Sequence, residues 1–224
     1  NYVTQFVNIT AESDPQQSEH PLLERLRKLA EGETHYKEEL QKVIATVGNF
    51  VYWNEKEFGK EHDHFHIRGE SNVLRYRGVE SALLRFGSDD TLYEMLCSYC
   101  AAKIAGAKVT LSISEDDDSR ALLWFAAKQK LLLGEEDDFV MENELALIFS
   151  LSNFERIRFL KPGHVSEQLY KDIADKAYYL ATVPFVPHGR IELMHYYIEQ
   201  SVSHRYHRYG NLGIRALEKK DIPS

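Results

Sequence analysis

Cysteine is nearly missing: Cys97 and Cys100 are the only two among 224 residues. That excludes a disulfide framework and predicts a reducing, cytoplasmic setting. Proline is scarce, six in all, with none between Pro21 and Pro162, so helices and central strands can run unbroken there. No stretch approaches the ~20 apolar residues of a membrane span. No basic-then-apolar leader opens the chain. A GxGxxG turn, a phosphate loop, a GxSxG elbow and a HExxH pair are all missing too, so no familiar nucleotide, hydrolase or zinc-protease motif is on offer.

What is present fits an α/β globular domain. Apolar residues make up 43% and charged residues 28%, which excludes collagen and a wholly disordered chain. A chain of this length buries roughly 70% of its unfolded surface and needs no staples. The formal net charge is −8, a sign that disfavours bulk binding to nucleic acid. Residues 201–224 nevertheless carry +3, which leaves about −11 on the rest. A basic tail on an acidic body predicts a segment with its own partner surface.

The pattern along the chain predicts the elements. Residues 2–10, YVTQFVNIT, read as a short strand. It starts at once at Asn1, which predicts a piece of a longer protein. Residues 11–20 are polar and linker-like. Leu22, Leu23, Leu26 and Leu29 share one helical face, closed by Gly32. Tyr36, Leu40, Val43, Ile44 and Val47 share another, up to Gly48. Strand and helix then alternate: strands at 79–86, 109–113, 139–141 and 157–160, with helices at 92–105, 119–130, 143–151 and 165–180. A last strand is predicted at 182–186, and one more helix from Ile191, Met194 and Ile198. Such alternation argues for a parallel sheet covered by helices. Residues 201–213, aromatic and basic, read as a surface strand or arm.

Four groups are candidates for chemistry. Cys97 and Cys100 fall among apolar neighbours on a helix and read as buried structural thiols. His62, His64 and His66 alternate, so an extended segment puts all three on one side, where with Asp63 they would suit zinc or nickel; the alternative is a solvated loop. The acidic runs 115–118 and 135–138 lack the glycine and spacing of a calcium loop and read as solvated. His195 reads as a helix-face histidine rather than a base.

Two segments, GESNVLRYRGV (69–79) and HGRIELMHYYIEQSVSHRYHRYGNLG (188–213), carry a resemblance. They are similar to the C-terminal region of bacterial L-glutamate gamma-semialdehyde dehydrogenases and of the long bifunctional proline utilization A flavoenzymes. NYVTQF (1–6) resembles the end of the catalytic aldehyde dehydrogenase domain of that family. The resemblance implies a decayed copy of a Rossmann domain. CAAKIAGAKVTLSISE (100–115) resembles the unit ending in a VVLKPAE-like motif, whose lysine helps to hold the adenosine ribose of NAD; here that position is Ser112, followed by Ile113. RIRFLKPG (156–163) resembles the FTGS strand and loop, with Leu160, Lys161 and Pro162 in place of small residues. Neither cysteine matches the family's nucleophile, and its general-base glutamate motif is missing.

The expected fold is therefore α/β, a Rossmann-like parallel sheet flanked by helices, with an N-terminal helical segment and a C-terminal arm. The expected division is 1–10 as the end of a catalytic domain, 11–68 as linker and helices, 69–200 as the Rossmann-like domain and 201–224 as the arm. The resemblance implies a non-catalytic lid and assembly element of an NAD-dependent parent, with no catalytic, cofactor or metal residue in this chain. Contact with the parent's catalytic module would come from Tyr206, His207, Arg208, Tyr209 and Asn211; a homo-oligomer is left open. The alternative reading is a regulatory domain that binds a ligand or a metal.

Overall fold

Helix α3 (Leu92–Ile104) shows how local chemistry sets the frame. Thr91 caps it: its hydroxyl accepts from the Glu94 amide, and the Glu94 carboxylate accepts from the Thr91 amide. This capping box satisfies two amides that a helix start leaves unpaired. The helix is apolar nearly all round, with Met95, Leu96, Cys97, Tyr99 and Cys100 all buried, so it lies in the interior rather than on the surface. We describe a computed structural model covering residues 19–67 and 69–205.

Around α3 a five-stranded parallel sheet forms from β2 (Ser81–Phe86), β3 (Lys108–Ile113), β4 (Asp138–Met141), β5 (Arg156–Phe159) and β6 (Leu180–Ala181), in the order β4-β3-β2-β5-β6. Chain order reverses between β2 and β5, as in doubly wound Rossmann-like sheets. Ala82, Leu84 and Phe86 of β2 face a core shared with α1 (Pro21–Glu31), α2 (Lys37–Trp53), α3 and α4 (Arg120–Leu132). Leu83 faces the other way, with Ile157 and Phe159, under α5 (Glu144–Ser150) and α6 (Glu167–Asp175). The period of two along each strand therefore feeds two helix layers. The apolar faces of helices α1 and α2 pack into the first core.

A second, antiparallel ribbon pairs β1 (Glu70–Gly78) with β7 (Tyr197–Arg205). Gly78 ends β1 where a Cβ would lie 2.0 Å from the Ala105 carbonyl, so the turn into the sheet requires glycine there. Strand β7 passes position 201, so the first residues of the predicted arm belong to this ribbon. Tyr206, His207, Arg208, Tyr209 and Asn211, like the predicted strand at 2–10, lie outside the described residues. Among the described residues, no helix is long and apolar enough to cross a membrane.

Several expectations need correction. The helix predicted to end at Gly48 runs on to Trp53 and closes in a π turn, Asn54–Phe58. The helix predicted at 165–180 spans only Glu167–Asp175. Ala177 takes a left-handed conformation (φ 55°), and the chain then enters β6. The strand predicted at 182–186 is replaced by the shorter β6, because Pro184 and Pro187 supply no N–H to a ladder. The helix expected through Ile198 is a single turn, α7 (Gly189–Glu192), and a 3-10 turn, Leu193–Tyr196; Ile198 itself lies on β7. The run YYIEQSV is aromatic and β-branched and prefers the pleated ribbon.

The acidic run 135–138 is not wholly solvated. The Asp137 side chain has no exposure and accepts from Lys103 Nζ (2.8 Å), the Tyr99 hydroxyl (2.9 Å) and the amides of Val109 and Gly134 (both 2.9 Å). Burial works to raise this carboxyl, but those donors outweigh it and hold it below the usual carboxylate range. An Asp137→Ala variant, which strands Lys103 and three further donors, is expected to lose about 3 kcal/mol; urea unfolding at neutral pH measures it.

A candidate site at the sheet switch point

In doubly wound sheets ligands bind outside the carboxyl ends of the strands, where chain order reverses. Here that place lies beyond Phe86 of β2 and Phe159 of β5. Backbone amides of the kind that receive phosphate are already engaged by this chain's own carboxylates. The Gly87 amide donates to Asp90 (2.9 Å), the Thr91 amide to Glu94 (2.9 Å) and the Tyr93 amide to Glu39 of α2 (2.8 Å).

Two basic side chains from the β5 loop face these carboxylates. Lys161 Nζ lies 3.2 Å from Asp89 and 3.3 Å from Asp90. The His164 ring stands between the same carboxylates, with Nε2 on Asp89 and Nδ1 3.5 Å from Asp90. That ring also covers Gly87, where a Cβ would come within 2.6 Å of it. Burial raises the Asp90 carboxyl above its ordinary range, against the pull of Gly87, His164 and Lys161. Burial tends to lower the Lys161 amine, but Asp89 and Asp90 prevail and raise it. Asp89, Asp90 and His164 bring their ligand atoms within 4.8 Å of one another; the Lys161 ammonium already takes a cation's place beside both carboxylates.

The two positions singled out by sequence lie near this mouth. Ser112 is fully buried; its hydroxyl donates to the Glu142 carboxylate (2.5 Å) and accepts from Arg85 Nη1 (2.7 Å). Arg85 also donates to the Glu142 carbonyl (3.1 Å). Burial lowers the Arg85 guanidinium against the opposing pull of Glu142, Glu144 and Asp117. An arginine from β2 thus reaches the neighbourhood of Ser112 from the adjacent strand. Leu160 is core, and Pro162 opens a 3-10 turn, Pro162–His164. Helix α6 starts only at Glu167, its first turn capped by Ser166, so no helix N-terminus follows β5 directly.

The other sequence candidates separate. Cys97 and Cys100 are buried free thiols. Burial, chiefly, pushes Cys97 well up and Cys100 up to about 12, which makes both poor nucleophiles. His62 and His64 stack with ring centroids 5.6 Å apart, and His62 Nε2 contacts the Glu57 carbonyl (2.8 Å). His66 adopts a left-handed conformation (φ 48°), which breaks the extended alternation that would have aligned the three. His195 sits on a 3-10 turn, not a helix face.

The 188–205 segment is docked by buried charge. Arg158 of β5 is 1% exposed and pairs with Glu192, which is 0% exposed, at 3.2 Å. Burial raises the Glu192 carboxyl, opposed by Arg158 and the Val186 amide. Arg156 donates to the carbonyls of His195 (3.1 Å) and Tyr197 (3.4 Å) and stacks on Tyr179. The Gly189 amide donates to Asn49 Oδ1 (2.8 Å), and a Cβ on Gly189 would lie 2.9 Å from Trp53 Cβ, so the segment lies hard against α2. Arg190 pairs with Glu57, and Phe58 stacks on Tyr197. Sequence reasoning passed over Arg85, Arg158 and Glu192. The available signal was arginine set inside apolar strands, Arg85 in LLRF and Arg158 in RIRF.

The geometry defines a Rossmann-like α/β domain, and comparison with solved structures agrees. Proline utilization A from Corynebacterium freiburgense is similar over 93% of this chain, at 26% identity and a TM-score of 0.53. Proline utilization A from Bdellovibrio bacteriovorus is similar over 68%, at 15% identity and a TM-score of 0.54. Betaine aldehyde dehydrogenase from Staphylococcus aureus, solved with NAD+, is similar over 72%, at 11% identity and a TM-score of 0.54. The chain spans 17%, 18% and 35% of those chains. No protein-family model matches it, and neither does any curated protein.

Removing one partner of a buried ion pair leaves the other charge uncompensated. Glu192→Ala is therefore expected to lose about 3–5 kcal/mol in denaturant unfolding, and the double variant Arg158→Met/Glu192→Leu distinctly less.

Proposed function

We propose that this chain is a non-catalytic C-terminal domain of an NAD-dependent L-glutamate gamma-semialdehyde dehydrogenase of proline degradation. It works as a lid and assembly element for the parent's catalytic module. The similarity to proline utilization A over nearly the whole chain supports that parentage. The observation that carries the reading is the switch point, where Asp90, Glu94 and Glu39 occupy the amides a dinucleotide phosphate would need. Those carboxylates would also repel the phosphate. Arg85 and the His164 ring fill the space beside Ser112 and over Gly87. The residues here do not fit NAD; the parent's NAD and its cysteine nucleophile would lie upstream, in a module whose end is residues 1–10.

Contact is what remains. The β1–β7 ribbon holds residues 201–205 exposed, and a two-stranded ribbon gains stability from being covered. The arm that follows supplies Tyr206, His207, Arg208, Tyr209 and Asn211, among which tyrosine and arginine are the residue types that make strong interface anchors. In this proposal they dock on the catalytic module in the cytoplasm, and a homo-oligomer is compatible with it. Deleting residues 201–224 from the full parent is expected to lower aldehyde oxidation while cofactor binding upstream persists. Unchanged oxidation would overturn the lid role.

A further inference from the structure

The docked segment 188–205 contains two histidines whose surroundings suit only the neutral ring. His188 is 8% exposed, and neither of its ring nitrogens has a hydrogen-bond partner. It packs on Trp53 of α2, with ring centroids 5.5 Å apart. The charged groups facing it are Arg190 of its own turn and, across the seam, Glu57 of the π turn. His195 Nε2 is buried and equally unpartnered. The charged groups facing it are Arg156 and Arg158 of β5; Glu192 on the preceding turn is already paired with Arg158. A proton on either ring would thus sit in the interior beside arginine, without an acceptor.

We propose that the 188–205 segment is an acid-released strap: protonation of His188 and His195 frees it, and β7 with it, while the parallel sheet stays folded. Leu193 and Tyr196 root the start of the strap in the core against α2, α3 and β5. Release would centre on β7, which among the described residues pairs with β1 and lies outside the main sheet. The electrostatics agree in sign. Burial, then Arg190, lowers His188, with Glu57 opposing. Burial, then Arg158 and Arg156, lowers His195 to about 3 from an ordinary 6.5. A group depressed in the docked state favours docking above its free value and loses that contribution as pH falls from 6.5 toward the docked value. Glu192 pulls the other way, since burial raises it against the opposing pull of Arg158 and the Val186 amide.

Hydrogen exchange on the 224-residue chain, corrected for intrinsic rates, reads the device directly. Between about pH 7.5 and about pH 5.5, amides of β7 and of its β1 partner are expected to lose about tenfold protection through His195, with a further loss through His188, while β2 and β3 keep theirs. His188→Gln with His195→Gln is expected to abolish most of that loss. Equal protection at the two pH values would overturn the proposal, and so would simultaneous loss in β2 and β3. Should the double variant fold poorly, imidazole proton NMR of the unaltered chain decides. Both rings titrating near 6.5 with β7 still protected would contradict it; titration shifted acidward and coupled to loss of β7 protection would support it.

Discussion

Three backbone amides at the mouth of the sheet, those of Gly87, Thr91 and Tyr93, donate to carboxylates of the same chain. Much of the local structure follows from this. With Asp90 buried and Asp89 beside it, the β5 loop brings the Lys161 ammonium and the His164 ring against them. The His164 ring then lies on Gly87, where no side chain fits. Glu39 reaches the Tyr93 amide from α2, which ties the N-terminal helices to the same point. A doubly wound sheet ordinarily leaves such amides to a ligand. Here the fold has closed on itself, and fold alone does not decide function.

Two arginines on neighbouring strands divide the remaining work. Arg85 points to the α5–α6 side and knits β2, β3 and the end of β4 through Ser112 and Glu142. Arg158 points to the other side and holds Glu192. A buried pair of this kind adds little net stability compared with apolar packing, but it fixes one geometry because its loss is costly. The geometry it fixes is the path of the 188–205 segment over β5 and α2, and hence the register in which β7 meets β1.

Much of this was legible in the residues. The β-rich run 79–86, the strand pattern of 109–113 and the helical spacing of 92–105 between them were enough to give the parallel sheet and its helix layers. The sequence reading failed where tertiary pairing overrides local period. Residues 191–198 have helical spacing, yet the helix stops after two short turns and β1 recruits the chain as a strand from Tyr197. Asp137 sits in an acidic run that looks solvated, yet four donors from three separate segments converge on it. The switch-point cluster joins Asp89 and Asp90 to Lys161 and His164, more than seventy positions away, and spacing carries no trace of that. The replacement at Ser112 was visible as a missing lysine; the arginine that reaches in from the next strand was not.

The account stands or falls on whether this crevice takes a dinucleotide. Calorimetric titration of NAD into the 224-residue chain measures that directly. The account predicts no saturable heat up to millimolar NAD. Saturable micromolar binding would contradict it.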